Sequence, residues 1–86
     1  MLSVGQVLND YKAGIVYRID SIKKIKNGKT VIMCEFHGKS INSPILGYDV
    51  IILNSDLIIP TSEKWGESAW SWITREQAIK SYAQIE

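Results

Sequence analysis

All three tryptophans of this 86-residue chain, Trp65, Trp70 and Trp72, fall within eight positions of "SEKWGESAWSWIT". Indole rings bring a large apolar area with one polar handle, so such a cluster either closes a small core or offers an aromatic contact surface. In an extended "SAWSWIT", Trp70 and Trp72 share one face, while Ala69, Ser71 and Ile73 take the other. One of these two indoles is expected to lid the core. Trp65, set between Lys64 and Gly66, is expected to be the exposed anchor. Trp65, Trp70 and Trp72 are therefore the candidate partner-binding residues.

Groups for catalysis are sparse, with one histidine and one cysteine in the whole chain. His37 and Cys34 are three residues apart, an odd spacing that sends them to opposite faces of a strand and prevents a direct Cys–His dyad. Cys34 reads as a small buried hydrophobe. Glu35 and His37 share a face, and Asp20 is expected across from Glu35. Three such groups could hold a divalent cation, but a salt-bridge network at the rim explains the same residues. No glycine loop of the phosphate-cradling kind is present. The expectation is a protein that is not an enzyme, with no catalytic residue, metal site or cofactor.

The lysines offer different chemistry. Lys23, Lys24, Lys26 and Lys29 flank Asn27-Gly28, and Arg18 lies further down the same segment. A lysine-rich hairpin tip can neutralise nucleic-acid phosphates, with Tyr17 or Tyr48 stacking on bases. The same lysines could equally keep a two-stranded arm soluble and block edge pairing. Residues 12–39 hold seven basic and two acidic side chains, and residues 40–86 hold three and six, although the net charge is only +1. The chain is thus expected to have a basic end and an acidic end.

These residues must be positioned by a single domain, residues 1–86, because the chain is too short for two cores. Isoleucine outnumbers leucine 14 to 5. That bias favours strands, and with the lysine excess it suits an A+T-rich genome, including those of many phages. A single cysteine rules out an intrachain disulfide. "MLSVGQVLND" is not expected to be a signal peptide, and no apolar run approaches the ~20 residues that span a bilayer. The expectation is a soluble, cytoplasmic protein without membrane contact.

"KIKNGKTVIMCEF" predicts a hairpin with a two-residue primed turn at Asn27-Gly28. Lys26 would face Lys29, Ile22 would face Met33, and Asp20 would face Glu35, a like-charge pair. Ile19, Ile25, Ile32, Cys34 and Phe36 would share one face, with Ile22, Val31 and Met33 on the other. Residues 48–53 and 57–59 read as further strands around an Asn54-Ser55-Asp56 turn, ended by Pro60. Residues 37–47 read as a loop. The segment after Ser3 fits either a first strand or a helix with a Ser3–Gln6 capping box. Thr74 and Gln77 form a second such box, predicting a helix over 75–85 that buries Ala78, Ile79 and Tyr82.

With "VGQVL", "GIVYRIDSI" and "NSDLIIP" as short strands around a long second one, residues 4–60 resemble the SH3-like small barrels. The resemblance implies a mainly β fold, either a five-stranded barrel or a curled antiparallel sheet, with a Trp-rich segment at 61–73 and the C-terminal helix. It also implies binding to peptides, methylated lysines, RNA or other proteins. The expected function is a protein-binding module, an adaptor or a small inhibitor of the kind phages encode. Nucleic-acid binding through the lysine hairpin is the alternative, and a small-nucleotide sponge between protomers a third.

Overall fold

The computed structural model describes residues 2–10, 14–53 and 68–86. They form strands β1 (Val7–Asp10), β2 (Ile15–Lys24), β3 (Thr30–Phe36), β4 (Gly47–Leu53) and β5 (Ala69–Trp72), followed by helix α1 (Arg75–Gln84). The five strands make one antiparallel sheet in chain order. Among the described residues β1 and β5 do not pair with each other, so the curled sheet is the form taken and the closed barrel is not. The strand expected at 57–59, its turn and Trp65 lie outside the described residues.

The N-terminal segment is strand rather than helix, yet half of its capping box forms. Gln6 Oε1 accepts from the Ser3 backbone N–H at 3.0 Å. Here that bond braces a reverse turn, closed by Gln6 N–H to Ser3 O with Gly5 at φ +87°. A left-handed residue there ends any helical start. Backbone bonds from Gly5 to Ile19 and from Ile19 to Gln6 then lead the chain into pairing with β2.

The β2–β3 hairpin corrects the expected register. Lys24 pairs with Thr30 and Ile22 with Ile32, so the loop holds three residues, Lys26-Asn27-Gly28, and not two. Gly28 N–H bonds Ile25 O, Gly28 takes φ +84°, and Asn27 Oδ1 accepts from Lys29 N–H at 2.9 Å. A three-residue loop closed by a left-handed glycine is the next most favoured hairpin connection. Lys26 and Lys29 are exposed but are no longer cross-strand partners.

Further along, a bulge between Ile19 and Ser21 shifts the pairing by one residue. Ile19 and Ile22, three apart, consequently pack on the same face, and Ile25 moves to the opposite one. The bulge also sets Arg18 opposite Glu35 and frees Asp20 from the expected clash. An extra residue in one strand costs a little pairing and here corrects both the apolar face and the charge partners. Gly28→Val should destabilise the fold by about 1 kcal/mol or more, because a β-branched residue resists positive φ. Lys26→Ala should change stability by less than about 0.5 kcal/mol. Urea melts of the two variants check the turn geometry.

Both faces of the sheet are apolar. One gathers Tyr17, Ile19, Ile32, Cys34, Ile51, Leu53 and Ala69. The other packs Val31, Met33 and Val50 against Ala78 of α1, with Trp70, Trp72 and Tyr82 around them. Each fully buried aliphatic side chain contributes roughly 1.5–3 kcal/mol, so a sheet with both faces buried can sustain a short chain. The expected Thr74–Gln77 capping box is present at the start of α1. The expected helix stripe needs one correction: Ala78 is fully buried, but Ile79 is 39% exposed and Ile85 takes its place against the sheet.

Two cationic contacts tie α1 to β2. Arg75 grips Asp20 through Nε at 2.9 Å and a second guanidinium nitrogen at 3.2 Å. Lys23 Nζ donates to Tyr82 O at 2.6 Å and lies 4.4 Å from the Tyr82 ring centre. The last turn of α1 has no basic residue of its own, and Lys23 supplies the cation its carbonyls favour. The Arg75 guanidinium holds the Asp20 carboxyl below its ordinary value. A depressed carboxyl stabilises the fold above its unfolded pKa and loses that contribution as pH falls through the folded one. Asp20→Asn should therefore lower Tm at neutral pH, with the gap from the parent closing in acid below the ordinary carboxylate range. Thermal melts of both proteins at neutral and acid pH measure this.

Candidate functional site

The expected site residues separate in space. Trp70 and Trp72 do share a face: both turn towards α1 and are half-buried. With Gln77, Lys80, Gln84 and Ile85 they line a groove of about 490 Å³. They close the helix-side core while leaving part of each ring at the groove. The Trp72 indole N–H is buried and has no acceptor among the described residues, a costly arrangement for a donor.

The lysine cluster is also divided. Lys24, Lys26, Lys29 and Arg18 are exposed, whereas Lys23 is half-buried and committed to Tyr82. Tyr17 is 2% exposed in the opposite core, and Tyr48 packs on the helix side. Tyr17, one of the two rings expected to stack on bases, therefore has no open face, and Tyr48 is largely committed to packing.

His37 and Glu35 meet as their shared parity requires, at 2.9 Å from Nε2 to Oε2. The other ring nitrogen lies 3.0 Å from the Ser43 carbonyl. Both oxygens accept, so both bonds form together only when each ring nitrogen carries a proton. The contact clasps the loop after β3. Asp20 is not opposite Glu35, so the three-group cluster does not assemble, and among the described residues no group of acidic, histidine or cysteine side chains is arranged to hold a metal. Cys34 is fully buried and burial pushes its thiol far up, which denies it a thiolate.

A better site forms from residues mostly not singled out from the sequence, Tyr17 and Trp72 excepted. On the face away from α1, a cleft of about 540 Å³ opens between Ile15, Phe36, Leu46 and Ile73. Tyr17 and Phe36, cross-strand partners with ring centres 5.9 Å apart, make one wall. Leu46 and Ile73, 61% and 84% exposed, form an apolar rim. Asp49 lies at the floor, only 4% exposed. Its side chain receives hydrogen bonds from Ser71 and Tyr17. Burial nevertheless pushes the Asp49 carboxyl above its ordinary range, because those neutral donors do not offset the loss of water.

Among the described residues no lysine or arginine pairs with Asp49. An apolar cleft with one perturbed polar group at its base has the form of a binding site. A signal for it exists in "GYDVIIL": Asp49 has the parity of Ile51 and Leu53, which puts a carboxylate on a core face. A carboxyl whose folded pKa is raised favours its protonated form, so its contribution to stability is lost as pH rises through that value. Asp49→Asn should be neutral or stabilising at pH 7, as read from urea melts.

No family model, no curated protein and no solved structure matches this chain. Function is therefore read from the site itself.

Proposed function

We propose that this domain is a non-enzymatic protein-binding module, an adaptor or small inhibitor, that works by surface contact. The observation that supports it most is the apolar rim of Leu46 and Ile73 around a concave, carboxylate-floored cleft. Solvent-exposed apolar rims of this kind are characteristic of contact surfaces. The Trp70–Trp72 groove next to α1 is a second contact area on the opposite face, and Trp72 is the residue that lines both. Trp65 belongs to the same proposal on sequence grounds. A cytoplasmic setting suits the single, buried, unpaired Cys34. Among the described residues no helix is long and apolar enough to cross a membrane.

The test is retention of partners from lysate on the immobilised protein, followed by cross-link mapping. Parent, Leu46→Ser/Ile73→Ser and Trp70→Ala proteins are compared. Retention that the double variant loses, with cross-links at the cleft, supports the reading. Equal retention by the double variant would remove the cleft from the contact surface. Nucleic-acid binding rests on the exposed Lys24, Lys26 and Lys29. It requires a steep salt dependence that Lys24→Glu/Lys26→Glu abolishes.

A further inference from the structure

We propose that the cleft takes a lysine side chain of the partner protein, with Asp49 as the counter-ion of its ammonium group. This rests on the binding-module reading and specifies what the cleft recognises.

Asp20 and Glu35 each have a basic partner at 2.9 Å, Arg75 for the first and His37 for the second. Asp49 is more buried than either, yet among the described residues only neutral hydroxyls reach it. A buried carboxylate is costly unless a cation offsets it. Phenylalanine or serine at this place would not carry that cost, and the geometry puts the unpaired charge where an outside group can arrive, at the base of an open cleft.

The walls select the rest of the ligand. Ile15, Leu46 and Ile73 match a four-carbon stem, which a lysine lays along apolar surface while its head reaches a polar partner. Phe36, only half-buried, borders the same space, and an aromatic face attracts an ammonium group. The floor favours ammonium over guanidinium. Ser71 and Tyr17 already take up part of the carboxylate's accepting capacity, which hinders the two-pronged grip arginine prefers. A point charge needs less.

The probe is Nα-acetyl-lysine methylamide, titrated into the labelled protein and followed by amide shifts in two-dimensional NMR. Its Nε-acetylated form and the arginine analogue are run in parallel. Saturable shifts centred on Gly47, Asp49, Ser71 and Ile73 are expected, at least about tenfold weaker for the neutral analogue, a ratio equal to about 1.4 kcal/mol. Asp49→Asn should keep the fold and lose the lysine response. Equal binding of the neutral analogue, tighter binding of the arginine analogue, or an unchanged response in Asp49→Asn would each overturn the proposal. So would absence of saturable shifts at the solubility limit. If cross-links still map a partner to the cleft while the lysine probe fails, the binding-module reading stands and the ammonium site falls. If the lysine probe binds but no partner is retained through the cleft, the ammonium site stands and the binding-module reading falls.

Discussion

Replacing Ala78 by aspartate should destabilise the protein by more than about 3 kcal/mol. Ala78 is the one buried residue of α1 and sits fully enclosed against Val31, Met33 and Val50. A carboxylate there would meet no cation and no water, so either it stays neutral or the helix leaves the sheet. A ten-residue helix cannot persist alone in water, and undocking would melt it. Loss of α1 would in turn uncover Trp70 and Trp72. The expected record is a large fall in the urea midpoint with a red shift of tryptophan emission. Ile79→Asp is the control. It lies one residue on and is 39% exposed, so a loss below about 1 kcal/mol is expected. Equal losses in the two variants would mean that α1 presents a different face to the sheet.

The second large effect is expected at Gly47. Its backbone is ordinary, and the constraint is space: a Cβ there would stand 2.8 Å from the Trp72 carbonyl oxygen. That oxygen belongs to the neighbouring strand, so it can retreat only by moving β5, whose Trp72 pairs with Tyr48. Gly47→Ala should cost about 1–3 kcal/mol, the usual range for overpacking where backbone has to shift. Because Gly47 also borders the cleft beside Asp49, the same variant should weaken binding there. Gly28→Ala is the comparison, since no atom lies within 4 Å of a Cβ at that position and only its φ of +84° is penalised. Thermal and urea melts of both glycine variants separate close approach from backbone strain.

Asp49 and Asp20 would move stability in opposite directions with pH. Burial raises the one and Arg75 depresses the other. A stability profile of the parent alone therefore mixes two carboxyls, and the Asn variants separate them. The cost of burying Asp49 with no cation among the described residues is what a site held ready for a cation would carry.

Local rules settled much of this fold from the sequence alone. The Thr74–Gln77 box placed the start of α1 because capping needs only four consecutive residues. Strand parity put Trp70 with Trp72, and Glu35 with His37, because alternation is a property of each strand by itself. Isoleucine excess and the positions of glycine and proline indicated a β-rich domain with β2, β3 and β4 in place and β1 as one of two readings, but not that Ala69–Trp72 would be a strand.

What depended on two segments meeting was not legible. The hairpin register turned on a bulge at Asp20, which is favoured only once Ile19 and Ile22 must fill one core and Arg75 arrives from 55 residues away. Lys23 left the basic cluster because the helix end lay across from it, and Ile79 left the apolar stripe because the sheet packs Ala78, Tyr82 and Ile85 instead. The cleft draws Tyr17, Phe36, Asp49 and Ser71 from four strands. Each is ordinary in its own segment. Only the packing of the strands decided that one carboxylate would lie buried beneath an apolar rim, beside hydroxyls and, among the described residues, no cation.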